Sequence, residues 1–302
     1  MNDTAIRYQP GIMINAPSVY DQMPSEVYHA DPCETPSLSA GMINRLLIAP
    51  AKCMIESSVL NPDWAEPEAD GKFVIGSVAH LLFLEPAEFS ARVKVMPYND
   101  WRTNEAKAAR ASAYKTGLMP ILDKHMLDIE AMRKVFFAND FMRAAFEGGR
   151  SEQSMFWRHP VHGFWCRARA DWLADSRMHI NDYKTTLDAS PAEFGRHAYR
   201  MNYHRRAAWY LEGAHALFGD RPDHYWFVNQ ETEAPYLTSV IELDSNALEA
   251  GQRENDYAAD IFARCLRTND WYGYRHPSDP SRDRAFRVGL PNYAHMQIDQ
   301  RT

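Results

Sequence analysis

The chain is 302 residues long, 45% hydrophobic and 12% aromatic, with a formal net charge of -7 at pH 7. Apolar content at that level excludes an intrinsically disordered protein. The acidic balance excludes a surface coated in positive charge, the usual footprint of non-specific nucleic-acid binding, but not basic residues concentrated in one cleft.

Length alone does not choose between one large domain and two modest ones. With no internal repeat, low-complexity stretch or linker, a single domain over residues 1–302 is expected, divided into an arm (1–30), a mostly helical part (31–150) and an α/β core (151–302). No run of about 18 apolar residues occurs. The opening MNDTAIRYQPGIMINAP lacks the basic-then-apolar order of a secretory signal, so a soluble, intracellular chain with no membrane contact is expected. Cys33, Cys53, Cys166 and Cys265 are far apart with no CxxC pair. Neither a disulfide framework nor a zinc ribbon is indicated, and reduced, mostly core thiols are expected.

In chain order, the Pro-rich, polar arm is expected to wrap the surface in extended form. Ser37 or Ser39 then caps a helix running to about Ile48 and stopped by Pro50. A second loop with Asn61, Pro62 and Pro67 leads to Gly71. Residues 73–85, FVIGSVAHLLFLE, are apolar nearly all round, the pattern of a buried helix ended by Pro86, with His80 at its middle. Residues 103–147 read as helical, first polar and Ala-rich, then with apolar residues at i, i+3, i+4 spacing. Gly148 and Gly149 close this half.

From Ser151 the grammar changes: SMFWRHP, a turn at 161–163, and FWCRARADWLA alternate as a β-hairpin, and MHINDYKTT reads as a third strand. A helix over about 191–218 follows, with Pro191 in its first turn, and then strands HYWFVNQ and LTSVIEL and a last helix. The order implies an α/β sheet with helices packed on it.

The chemistry concentrates in RARADWLADSRMHINDYKT, residues 167–185. Side chains at i and i+2 of a strand share a face, so Asp182 and Lys184 project together. Asp171, on the preceding strand, is brought beside them by a short turn around residues 174–177. Two carboxylates and an ammonium meeting on adjacent strands suit phosphodiester hydrolysis. Carboxylate oxygens hold Mg²⁺ with several of its waters in place, and a lysine orients the attacking water or offsets transition-state charge. The carbonyl of Tyr183 offers a further ligand. An isolated DxK is more often an ordinary same-face ion pair, so context decides.

That context is a resemblance. Asp171 followed by HINDYKT looks like the D…(D/E)xK signature of the PD-(D/E)xK superfamily as RecB-family and RecE-type nucleases write it. GSVAH (76–80) is similar to the G-x-x-x-H helix of those families, whose histidine reaches the metal site, and YHRRAAWY (203–210) resembles their Y-h-x-Q-a-A-x-Y helix. The RecE-type likeness extends along nearly the whole chain, through LSAGMINRLLIAPAKC, the hairpin SEQSMFWRHPVHGFWCRARADWL, WFVNQETEAPYLTSVIELD, WYGY and LPNYA. One departure stands out: Arg206 occupies the place of the expected glutamine. It either grips phosphate bidentately or competes with the metal and depresses turnover.

The resemblance implies a restriction-endonuclease-like core, a central mixed sheet flanked by helices, with residues 151–302 as the catalytic part. It implies a Mg²⁺-dependent exodeoxyribonuclease, Mn²⁺ substituting, that digests linear duplex DNA 5′ to 3′ and leaves 3′ single strands for recombination. A ring-shaped homo-oligomer, a RecT-type single-strand annealing partner and the cytoplasm of a bacterial or phage-infected cell come with it. Asp171 and Asp182 would hold the metal, His80 would complete or gate the site, and Lys184 would assist the water. Some relatives carry an iron–sulfur cluster on one early cysteine and a tight late group of three. That group is missing here, so no cluster is expected.

Other residues admit two readings. Glu152 either completes a second metal position or is a solvated strand-end glutamate. Tyr203 and Arg206 share a helical face that would wall the cleft, and Tyr210 is equally a core residue. Arg102, Lys107 and Arg110, with Lys115, either line the DNA entrance, supplying affinity by counterion release, or form a solvated helix face. Arg167 and Arg169 either meet phosphate or pair with carboxylates. The rival functions are a DNA- or protein-binding module without turnover, hinted at by Arg206, and an endonuclease on branched or single-stranded DNA.

Overall fold

The computed structural model describes residues 5–64, 74–274 and 285–300; Pro67, Gly71 and Phe73, named above, lie outside the described residues. The chain opens with β1 (Ile6–Arg7), β2 (Ser18–Asp21), α1 (Ser25–His29), β3 (Ser37–Ser39), α2 (Ala40–Ile48) and α3 (Pro50–Ile55). Next come α4 (Val74–Leu84), α5 (Phe89–Arg92), β4 (Val93–Met96), α6 (Asn104–Lys115), β5 (Met119–Leu122), α7 (Asp123–Ala138) and α8 (Asp140–Ala145). The last part is β6 (Gly149–Arg158), β7 (Trp165–Ala174), β8 (His179–Thr186), α9 (Pro191–Arg200), α10 (Tyr203–Phe218), β9 (His224–Glu231), β10 (Thr238–Ile241), α11 (Ser245–Thr268) and α12 (Asn292–Asp299).

Among the described residues the main sheet has eight strands in the order β1-β2-β6-β7-β8-β9-β10, with β3 also beside β7. It is mixed: β6, β7 and β8 run antiparallel in turn, while β8 and β9 are parallel. Each face is covered, as an α/β sheet requires. Leu38, Ile43, Trp157, Ile180, Trp209, Phe227 and Phe262 join one core with α2, α10 and α11. Val78, Leu81, Phe83, Met132, Phe136, Tyr183 and Val228 join the other with α4 and α7. Successive residues Phe227 and Val228 go to opposite cores, the alternation of a strand buried on both sides. The α/β arrangement of a central mixed sheet flanked by helices is therefore as expected.

Several local expectations are corrected. Residues 5–30, expected as an extended arm wrapping the surface, also join the sheet and a core: β2 pairs with β6 from Ser18↔Phe156 to Tyr20↔Ser154, and Tyr8, Ile14, Tyr20, Met23 and Tyr28 are buried around Phe156 and Trp165. The arm covers what would otherwise be an open sheet edge. Ser39 does cap α2, accepting the Met42 N–H at 3.4 Å, while Ser37 belongs to β3. Pro50 starts α3 rather than merely ending α2, using its fixed φ in a first turn.

The stretch 103–147 contains a strand as well as helices: Gly117, at φ 73°, ends α6, and β5 pairs in parallel with β4. Asn139 caps α8 through the Met142 N–H at 3.1 Å and so divides α8 from α7. The helix expected over 191–218 is two helices, broken where Asn202 adopts a left-handed φ of 59°. Among the described residues no helix is long and apolar enough to cross a membrane. All four cysteines are buried, and none forms a disulfide among the described residues.

Candidate metal centre

The registers place three acidic residues on one rung. β6 and β7 pair at Ser151↔Trp172 and Gln153↔Ala170, so Glu152 lies opposite Asp171, yet that pair is missing from the ladder. β7 and β8 pair only at Trp172↔Asn181 and Leu173↔Ile180, so the next rung would set Asp171 opposite Asp182, and there the ladder ends. Like charges directly opposite destabilise a sheet, and here it gives way on both sides of Asp171. Glu152 takes a left-handed φ of 54°, a strained conformation for a residue with a side chain. Asp171 Oδ2 accepts the Tyr183 N–H at 2.9 Å. Beyond the fork β7 pairs with β3 instead, leaving residues 168–171 with no ladder partner on that side.

Helix α4 closes over the rung because Gly76 lets it approach β8. A Cβ built there would lie 2.6 Å from Thr185 Oγ1, so only glycine permits this spacing without a shift. One turn on, His80 Nε2 stands 3.3 Å from Asp171 Oδ2 and 3.4 Å from Glu152 Oε1. Burial by itself would lower the His80 pKa, but Asp171 and Glu152 outweigh it and the net direction is upward.

Lys184 Nζ lies 2.5 Å from Asp182 Oδ1, 3.3 Å from the Tyr183 carbonyl and 3.8 Å from Asp171 Oδ2. The expected meeting of two carboxylates and one ammonium is present. Arg206 also donates to Asp182 Oδ1, at 3.5 Å. Burial raises the Asp182 pKa, and the neighbouring Asp171 charge adds to that. Burial would raise Asp171 as well, but Lys184 and His80 reverse the sign and hold it well below the usual carboxylate range.

The donor set fits a divalent cation. His80, Glu152 and Asp171 offer ligand atoms within 4.8 Å of one another, a mixture of hard oxygens and one imidazole. Asp182 lies outside that compact group, because its Oδ1 faces Lys184 and Arg206. Its Oδ2 is buried with no hydrogen-bond partner among the described residues, an orphaned oxygen of the kind a cation satisfies.

Glu152 thus sits inside the site and is not a solvated strand-end residue. Two residues expected to meet DNA do something else. Arg169 donates through Nε to Glu152 and through Nη1 to the Met23 carbonyl at 2.7 Å, so it fixes Glu152 and has turned away from solvent. Tyr203 is buried, its ring stacked 5.1 Å from Phe227, and it backs Arg206 at 6.0 Å. Tyr210 is likewise core, and Arg167 is buried on Asp31 at 2.9 Å. Arg102, Lys107 and Arg110 lie on and before α6, touching none of the carboxylates: Arg102 is exposed beside Asp100, Lys107 is exposed, and Arg110 rests between Trp101 and Tyr114. Glu85, just past the end of α4 and not singled out in the sequence, pairs with Arg92 at 3.5 Å.

Sheet, forked acidic rung and lysine define a PD-(D/E)xK nuclease-like domain. The chain belongs to the family described as a PDDEXK-like domain of unknown function, whose profile matches residues 39–275. Among solved structures, a candidate exonuclease from Eubacterium rectale superposes with a TM-score of 0.54 at 14% identity, over 82% of this chain and 86% of that one. A phage-related exonuclease from Haemophilus somnus 129PT gives a TM-score of 0.34 at 11% identity, over 78% and 97%. No curated protein shows significant sequence similarity to the chain.

Proposed function

We propose that the protein is a metal-dependent exodeoxyribonuclease that degrades linear duplex DNA 5′ to 3′, leaving 3′ single strands for recombination. The observation that carries this reading is the forked rung: Glu152, Asp171 and Asp182 opposite one another, with His80 above and Lys184 between two of the carboxylates. His80, Glu152 and Asp171 would hold the ion, with Asp182 Oδ2 and the Tyr183 carbonyl as further oxygens. A bound Mg²⁺, or Mn²⁺ in its place, would polarise the phosphoryl oxygen and lower the pKa of a water. Lys184 orients that water and offsets charge as it builds on phosphorus. Arg169 keeps Glu152 in place. Arg102, Lys107 and Arg110 would track the duplex backbone by counterion release. A ring of identical subunits, a RecT-type annealing partner and a cytoplasmic setting complete the proposal.

The second reading is a binding module without turnover, favoured by the contact of Arg206 with Asp182. The test is incubation with end-labelled linear and closed circular duplex in Mg²⁺, Mn²⁺ or EDTA, beside Lys184→Ala. Loss of label from linear DNA alone, abolished by EDTA and by the substitution, is the expected result. Cutting of circles would assign an endonuclease, and binding without cleavage the second reading.

A further inference from the structure

We infer that Arg206 is a phosphate ligand for DNA, held on Asp182 in the free protein and transferred to the substrate on binding. The inference rests on the nuclease reading and names a residue of the same site. Near the rung three carboxylates, Glu152, Asp171 and Asp182, face three permanent cations, Arg169, Lys184 and Arg206. The cations are not equivalent. Arg169 is 11% exposed and Lys184 21%, both closely paired, whereas the Arg206 side chain is 37% exposed and its contact with Asp182 is 3.5 Å.

A guanidinium has five N–H donors, and among the described residues Arg206 donates only to Asp182 Oδ1. The Tyr203 ring stands behind it at 6.0 Å, and Tyr210 and Tyr225 lie close enough to share its field. Protein therefore walls one side, while the side chain as a whole keeps 37% of its surface exposed. Lys184 already neutralises the same Asp182 oxygen at 2.5 Å, so losing Arg206 does not strand that carboxylate. A phosphodiester accepts two parallel N–H bonds from a guanidinium, which a single weak contact to a shared oxygen does not match. Transfer of Arg206 would also remove a cation competing for Asp182, so DNA and divalent ion would each strengthen the binding of the other, as linkage requires.

The test compares wild type, Arg206→Gln and Arg206→Lys by two binding measurements that need no turnover. One is the affinity for a short blunt duplex in EDTA as a function of salt. The other is Mn²⁺ affinity without DNA, followed by electron paramagnetic resonance. Arg206→Gln is expected to weaken duplex binding about 10-fold and to reduce the log–log salt slope by about one, while tightening Mn²⁺ several-fold. Arg206→Lys keeps the salt slope and shows the fold is intact. Unchanged duplex affinity, or unchanged Mn²⁺ affinity, in a folded Arg206→Gln protein overturns the inference while leaving the nuclease reading in place. Wild-type protein with no affinity for the duplex, either in EDTA or with Ca²⁺ present, overturns both.

Discussion

Lys184 holds the free site together, in addition to the role proposed for it in hydrolysis. It stands 2.5 Å from Asp182 and 3.8 Å from Asp171, and Asp182 is almost completely buried. Breaking a buried pair by removing one partner typically costs about 3–5 kcal/mol, because a charge is left uncompensated. Arg206 and His80 offset part of that here, so Lys184→Ala should lose about 2–3 kcal/mol in EDTA, a fall of roughly 5–10 °C in melting midpoint for a chain of this size. Saturating Mg²⁺ should shrink the deficit, and Lys184→Ala with Asp182→Asn should recover much of it. Thermal unfolding with and without the ion decides; equal midpoints for variant and wild type in EDTA would sink the account. Of these residues, Asp171, Asp182, Lys184 and His80 were readable from spacing and motif, because strand period and helix turn fix who faces whom. Arg169 was not, since the Met23 carbonyl that holds it lies 146 positions away in the chain.

At the scale of elements, the site depends on how closely α4 lies against β8. Gly76→Ala would put a methyl 2.6 Å from Thr185 Oγ1, and the helix must rise by a fraction of an ångström or the threonine must turn. His80, one turn along, shifts with it, and misplacement of a catalytic group by about 1 Å can cost about 100-fold in rate. Gly76→Ala should therefore slow cleavage by about 10-fold or more, and Thr185→Ala added to it should restore most of the loss by removing the obstructing oxygen. Initial rates on linear duplex decide; a double variant as slow as the single one would mean that the contact does not set the spacing. The hairpin β6–β7, strands β8 and β9 and buried helix α4 were legible because their apolar patterns are long. The strands β4 and β5 were not: each has four residues, too few for alternation to stand out from flanking helices. The break at Asn202 escaped for a related reason, since the apolar pattern continues across it and only a single left-handed residue interrupts the backbone.

Across the whole molecule, the N-terminal segment is tied to the strands that carry the candidate site. Arg167, on β7 between two sheet partners, is 5% exposed and pairs with Asp31 at 2.9 Å, and Ser37 is hydrogen-bonded to both. From the same segment the Met23 carbonyl holds Arg169, and Arg169 holds Glu152. None of this was apparent from the sequence, because Tyr8, Ile14, Tyr20, Met23 and Tyr28 are separated by prolines and polar residues and follow neither a helical nor a strand period. Their burial is decided by the edge of β6 they cover. Asp31→Ala should then act as a core substitution outside the candidate site, leaving a buried guanidinium uncompensated at about 3–5 kcal/mol. Arg167→Met combined with Asp31→Ala should be much less costly than the single change, because an apolar pair replaces a stranded charge. Urea unfolding of the four proteins in that cycle yields the coupling directly. If the two single losses simply add in the double variant, the segment is anchored by its apolar contacts alone, and the ion pair has no part in joining it to the strand that carries Asp171.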